Sequence, residues 1–238
     1  MITSTQNEKL KLVRKLGDRK HRQREGLFAT EGEDLLEAGL RAGREPSFVL
    51  VAPGFGLEGE EVEPDLLDSA STLGSGTRAI AVWRQAWGEA VGPVCVYLHG
   101  VGDPGNVGAV IRSAHALVSG SVVVGPGSAD PHSPKAVRAS MGSIFGISLA
   151  RGQIADTPLP RVGLVAHTGR PPGAAAAPLT LCLGSEREGL PTEVLEQCQE
   201  TWTIPLRATG AESLNVAAAA AIALQRISSA AAQGGPET

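Results

Sequence analysis

The chain is short of aromatic side chains. Phe, Trp and Tyr make up 3% of 238 residues: four Phe, three Trp and one Tyr. A sheet that reads single-stranded RNA by stacking successive bases needs several on one face, so the composition argues against that mode. Cysteine is scarce too. Cys95, Cys182 and Cys198 form no C-x-x-C pair and no cluster with histidine, which argues against a disulfide scaffold or a structural zinc site. No metal is expected, and a reducing cytoplasm is the expected setting. No apolar run approaches the roughly 18 residues of a membrane span. The first ten residues are polar and lack the apolar segment of a secretory signal. Net charge is only −4, so the protein is not a uniformly cationic nucleic-acid coat. What is present, 42% hydrophobic and 19% charged residues, excludes wholesale disorder. The length suits one large domain or two small ones.

The charge is unevenly spread. Residues 8–24 hold Lys9, Lys11, Arg14, Lys15, Arg19, Lys20, Arg22 and Arg24 against only Glu8 and Asp18. An acidic chain with one basic segment draws polyanions to one end. Either this is a solvated helix face or it contacts nucleic-acid phosphates. If RNA binds, backbone charge and shape should dominate over base stacking.

Periodicity divides the chain in two. Residues 1–88 carry a helical pattern at 7–20, with Leu10, Val13 and Leu16 three apart, and another at 32–42. Strands are predicted at 47–52 and 78–83, with a Gly- and Glu-rich loop at 53–64 between them. Residues 89–93, between Gly88 and Pro93, read as a linker. In 94–238, short apolar runs at 94–98, 121–124, 162–166, 179–183 and 201–204 alternate with helical patterns at 107–118, 134–141, 192–198 and 214–227. That alternation predicts a parallel sheet covered by helices, an α/β domain whose ligands sit at the carboxyl ends of the strands. Residues 173–178 (GAAAAP) read as a low-complexity loop, and the tail from 233 as mobile.

Residues 100–105 (GVGDPG) match G-x-G-x-x-G between a strand and a helix, the setting of a dinucleotide fingerprint. No acidic residue ends the next strand, however, and Pro104 removes an N–H where phosphate cradling needs one. Asn106 has a simpler reading as the cap of a helix starting at Val107. Metalloprotease, P-loop and nucleophile-elbow motifs are absent.

Three further segments carry more. They are PGNVGAVIRSA at 104–114, LCLGSEREGLP at 181–191 and IPLRATGAESLNVA at 204–217, with SPKAVRASMGSIF at 133–145 between the first two. Their order and spacing resemble the motifs of the SpoU (TrmH-like) RNA ribose 2′-O-methyltransferases of the SPOUT superfamily. The resemblance covers essentially all of 94–230. The N-terminal part resembles that family's small RNA-binding domain, related in fold to a ribosomal protein.

The resemblance implies an S-adenosylmethionine-dependent enzyme with a C-terminal trefoil knot, working as a homodimer on RNA. Ribosomal RNA is the expected substrate. Transfer RNA, and a non-catalytic RNA-binding protein of the same fold, are the alternatives. Leu183, Gly184, Ile204, Leu206, Ser213 and Leu214 are expected at the cofactor. Arg112 is the expected catalytic residue, Asn106 is expected to orient Arg112 or the ribose, and Glu186, Ser213 and Asn215 are expected to shape the catalytic pocket by hydrogen bonding. Arginine stays protonated far above neutral pH, so gripping a phosphate and stabilising the developing alkoxide suits Arg112 better than acting as a base. Lys11, Arg14, Lys15, Arg19, Arg22, Lys135 and Arg138 are expected on RNA phosphates.

Overall fold

The computed structural model describes residues 1–72, 75–173 and 178–233, with side chains to residue 229. Most of the expected low-complexity loop (174–177) and the expected mobile tail, past its first residue, lie outside the described residues.

The N-terminal part opens with α1 (Glu8–Leu16) and α2 (Arg19–Glu25). The single helix expected at 7–20 is broken at Gly17 and Asp18. Asp18 accepts from Lys20 N and starts a new helix, because a short carboxylate side chain competes with the backbone for that N–H. Then come β1 (Leu27–Glu31), α3 (Glu33–Arg41), β2 (Phe48–Val51), β3 (Glu60–Glu61), α4 (Pro64–Ala70) and β4 (Ala79–Arg84). The strands form one sheet in the order β1-β4-β2-β3, with β4 antiparallel to β1 and β2. β1, β3 and α4 escaped the sequence reading, being short or weakly patterned.

Strand alternation on β4 gives this sheet two different faces. Ile80 and Val82 pack with Leu10, Val13 and Leu16 of α1 and Leu67 of α4. Ala79, Ala81 and Trp83 pack with Phe28, Leu35 and Leu36, and this core runs on into Val137 and Ile144 of the C-terminal part. The basic helix α1 therefore lies on the sheet face turned away from the C-terminal part. Helix α2 does the opposite. Arg22 is only 3% exposed. Its Nε donates to Asp130 Oδ2 at 2.9 Å, and Nη1 donates to the carbonyls of Leu16 and Gly17 at 2.8 Å each. Arg22 is thus a buried strut between the two parts, not the RNA contact expected of it. A run of cations does not reveal which member points inward.

The C-terminal part contains β5 (Val94–Leu98), α5 (Pro104–Leu117), β6 (Gly120–Val124), α6 (Pro134–Ser140), β7 (Ser148–Arg151), β8 (Arg161–Leu164), β9 (Leu179–Leu183), α7 (Thr192–Leu195), β10 (Glu200–Trp202) and α8 (Val216–Gln233). Single 3₁₀ turns at Ser143–Phe145 and Ile154–Asp156 flank β7. Six parallel strands run in the order β10-β8-β9-β5-β6-β7. Every residue of β5 and β9 is buried, which is why both read as unbroken apolar runs. Each such Val or Leu contributes about 1.5–3 kcal/mol on burial. β7, short and ending in an arginine, was not anticipated. Helix α5 rests on α6 at Gly108, where a Cβ would lie 2.2 Å from Ala136 O, so only glycine permits this approach. No described helix is long and apolar enough to cross a membrane.

Candidate active site at the carboxyl edge of the parallel sheet

The loops after β8, β9 and β10, with the start of α8, enclose a cavity of about 560 Å³. That is the size range of small-molecule sites. Leu183, Gly184, Ile204, Leu206, Ser213 and Leu214, the six positions expected at a cofactor, all line it. So does Glu186.

Gly184 closes one wall. After it the chain doubles back, with Ser185 N donating to Gly189 O and Gly189 N to Ser185 O, both at 3.0 Å. Glu188 N also donates to Ser185 Oγ at 3.1 Å. Gly189 sits at φ +70°, a conformation that favours glycine. The two arms lie so close that a Cβ on Gly184 would meet Gly189 C at 2.1 Å. This loop presents Glu186 at its tip.

A polar chain crosses from this loop to two helix starts. Asn106 Nδ2 donates to Glu186 Oε1 at 2.7 Å, and Asn215 Nδ2 donates to Asn106 Oδ1 at 3.0 Å. The helix ends are arranged differently from the sequence reading. Helix α5 begins at Pro104, not Val107, and Asp103 is its cap, accepting from Asn106 N at 3.1 Å. Pro104 fits at the first helical position because its missing N–H has no intrahelical partner there. Asn106 is therefore inside the first turn, and its carboxamide is free for Glu186 and Asn215. Likewise α8 begins at Val216, and Asn215 caps it by accepting from Ala217 N at 2.9 Å and Ala218 N at 3.3 Å. Ser213 and Leu214, expected to open this helix, precede it and line the cavity instead. The Asp103 carboxylate also sits where a dinucleotide phosphate would need the helix N-terminus, which removes the fingerprint reading of residues 100–105.

Arg112 is exposed on α5 and is not part of the cavity wall. It lies six residues past Asn106, about 9 Å along the helix axis, and long side chains on a helix lean back toward its N-terminus. Lys135 and Arg138 are exposed on α6, whose cap is Ser133 as expected. Lys135 Nζ meets Asp103 Oδ2 at 2.6 Å. The hydrogen bond from Lys135 holds the Asp103 carboxyl below its ordinary range. Arg14, Lys15 and Arg19 are exposed and Lys11 is half-buried. Lys11, Arg14 and Lys15 belong to α1, away from the cavity.

The structure adds residues that the sequence reading missed. His167 and Thr168, just past β8, line the cavity, as do Glu188 and Glu212. Thr168 has φ +66°, unusual for a β-branched residue. The expected run at 162–166 ended one residue short of this pair. The rule that parallel sheets bind ligands beyond strand ends was the signal that could have found them. Among the described residues no three His, Cys, Asp or Glu side chains gather as a metal group.

A parallel sheet with a half-apolar cavity at its carboxyl edge, joined to an N-terminal domain that carries one basic segment, defines an α/β enzyme that brings a small molecule to a large anionic one. The chain belongs to the SpoU rRNA Methylase family, whose sequence profile matches residues 93–225. Residues 7–86 match the MRM3-like substrate binding domain. The 23S rRNA (guanosine(2553)-2′-O)-methyltransferase RlmP of Bacillus subtilis is 29% identical over 93% of this chain and 96% of its own. An AdoMet-bound rRNA methyltransferase from Sinorhizobium meliloti superposes with TM-score 0.80 at 26% identity, covering 94% of this chain and 95% of that one. The SpoU methyltransferase AviRb from Streptomyces viridochromogenes, in complex with AdoMet, superposes with TM-score 0.82 at 25% identity over 97% of this chain and 100% of that one.

Proposed function

We propose that this protein is an S-adenosylmethionine-dependent methyltransferase acting on a ribose 2′-hydroxyl of ribosomal RNA. The observation that carries this reading is the cavity lined by Leu183, Gly184, Ile204, Leu206, Ser213 and Leu214 beside the Glu186–Asn106–Asn215 chain. Its chemistry fits the donor. Leu183, Ile204, Leu206 and Leu214 offer apolar surface for a flat adenine. The carboxylates of Glu186, Glu188 and Glu212 favour a cationic ligand. When bound, the donor supplies an electrophilic methyl group on a sulfonium. The relatives named as 23S rRNA enzymes favour ribosomal RNA over transfer RNA.

The chain's own residues supply position and charge. Glu186 and Asn215 hold the Asn106 carboxamide from both sides, so Asn106 meets the ribose in a fixed orientation. Arg112 grips the adjoining phosphate and stabilises negative charge developing on the ribose oxygen. The proton leaves through that phosphate or through water. Much of the acceleration then comes from positioning alone.

We place the RNA-binding domain at 1–88, the linker at 89–93 and the methyltransferase domain at 94–238. The protein works in the cytoplasm as a homodimer. Ile222 of α8, 41% exposed, supports that assembly. A C-terminal knot belongs to the same reading.

Mapping ribose methylation in total RNA, with and without the protein, tests the function. One ribosomal 2′-O-methyl mark should disappear with the protein. Arg112→Ala should lower turnover by about 10²–10³-fold, the order seen when one stabiliser of an oxyanion is removed, while calorimetry shows unchanged donor affinity. An unaltered methylation map overturns the function, and retained turnover removes Arg112 from it.

A further inference from the structure

Where the two parts meet, outside the cavity, arginines crowd around a single carboxylate. The floor of this junction is the Arg22–Asp130 pair, with both side chains 4% exposed. Beside it His132 is buried against Phe28, ring centroids 4.7 Å apart, and against the edge of Trp87 at 4.9 Å. Burial keeps His132 neutral by pushing its pKa down to about 4. Asp130 is already matched by Arg22. Three more guanidinium groups surround this floor. The Arg151 guanidinium stacks 3.8 Å over the Trp87 ring. Arg44 donates to the Arg84 carbonyl at 3.4 Å. Arg19 is exposed at the first position of α2. Among the described residues none of these three forms an ion pair with a carboxylate.

Arg19 acts on Arg151, and Arg151 and Arg44 act on His132 beside the floor. Partial burial, and then the charge of Arg19, pull the Arg151 guanidinium below its ordinary range against the attraction of Asp130. After burial, the charges of Arg151, Arg22 and Arg44 oppose protonation of His132. Like charges gathered at one junction raise the energy of the free protein unless an anion joins them. The basic helix α1 differs. Lys9 is paired with Glu60 and Lys11 with Glu8, and Arg14 donates to Ser69 and to the Thr5 carbonyl. Two of its four cations are ion-paired, and it faces away from the cavity.

The junction is also in the right place. Asp130 follows β6 and Arg151 ends β7. The loop after β6 is bonded to the loop that enters α5, with Ala129 N donating to Val101 O at 2.9 Å and Val101 N to Ser128 Oγ at 3.3 Å. The carboxyl edge of the sheet therefore reads, in order, cavity at β8 and β9, Asn106 beyond β5, arginines beyond β6 and β7. Three strand spacings of about 4.8 Å separate β9 from β7, roughly 15 Å.

We propose that Arg19, Arg44 and Arg151 form a phosphate-binding seam that holds the RNA backbone next to the target ribose and sets its register between the two domains. The ligand is the phosphodiester chain, since the guanidinium rim reads charge and shape and not base edges. The seam rests on the RNA methyltransferase reading above.

The test is the salt dependence of RNA binding. Fluorescence anisotropy of a labelled single-stranded RNA of about 20 nucleotides is followed from about 50 to 200 mM KCl. The triple variant Arg19→Gln, Arg44→Gln, Arg151→Gln should lower the slope of log K against log salt by about 2, at about 0.7 per phosphate contact. In methylation of ribosomal RNA its KM for RNA should rise at least about tenfold, with kcat and donor affinity unchanged. The matching α1 variant, Lys11→Gln, Arg14→Gln, Lys15→Gln, carries the same charge change and should move the slope less. Replacing the three seam arginines by lysine should keep most of the slope. If the triple variant does not fold, Arg151→Gln alone should remove about 0.7. A wild-type slope in the seam variants, or an equal loss in the α1 variant, overturns the proposal. Wild-type protein that binds RNA through the seam yet methylates no RNA sinks the functional reading and leaves the seam standing.

Discussion

Replacing Gly184 by alanine is the sharpest probe of the cavity. The added Cβ would lie 2.1 Å from Gly189 C and 2.3 Å from both Gly189 O and Leu190 N. All three are backbone atoms, so no side chain can swing aside. The two arms of the loop must separate by about 1 Å or more to reach ordinary contact. The paired Ser185–Gly189 hydrogen bonds are then lost, at about 1 kcal/mol each. Overpacking of this kind adds about 1–3 kcal/mol. If about 2 kcal/mol of the total falls on the closed loop, S-adenosylmethionine affinity drops by about thirtyfold. The remainder, about 1–3 kcal/mol, appears as a melting temperature lower by about 2–12 °C for a chain of this size. Titration calorimetry with S-adenosylmethionine and a thermal melt read both effects. Gly189→Ala is the comparison. Its Cβ meets nothing within 4 Å, so only its φ of +70° resists the change, at about 1–2 kcal/mol. A Gly184→Ala protein with wild-type affinity and melting temperature would refute the argument that backbone approach at Gly184 builds the cavity wall.

Two further outcomes follow from the domain junction. Arg22→Met leaves Asp130 buried without its cation and should destabilise the protein by about 3–5 kcal/mol in urea titrations, whereas Arg22→Met with Asp130→Leu should recover most of that loss. A double variant no more stable than the single one contradicts the pairing. His132 titrates at about 4 in the folded protein against an ordinary value of 6.5. Between those values the unfolded chain binds more protons, so stability should rise with pH from about 4 to 6.5, by at most about 3 kcal/mol from this group. His132→Gln should flatten that part of the stability curve. An identical pH dependence in both proteins argues against a neutral buried imidazole.

Much of the parallel sheet was legible because its central strands are wholly buried. β5 and β9 coincide with the apolar runs at 94–98 and 179–183. Helix α6 followed from Ser133 and Pro134, a cap and a first-position proline. Local pattern failed where several side chains competed for one backbone group. Asp103, Asn106, Ser213 and Asn215 are all plausible caps by type, and only the folded chain shows Asp103 and Asn215 in that role. The grouping of Leu183, Ile204 and Leu214 around one cavity came from family motifs, since residues about 30 apart in sequence carry no local signal of contact.

The sequence by itself determined the longer, strongly patterned elements and the order of the motifs, because hydrophobic period, capping side chains and proline act within a few residues of chain. Tertiary structure decided which charges face water. Arg22 and Arg19 stand three apart in one basic run, yet Arg22 is buried on Asp130, more than a hundred residues away, while Arg19 stays at the rim. Burial and pairing are set by whatever packs against a helix from elsewhere in the chain, so the charge of a residue is local information and its use is not.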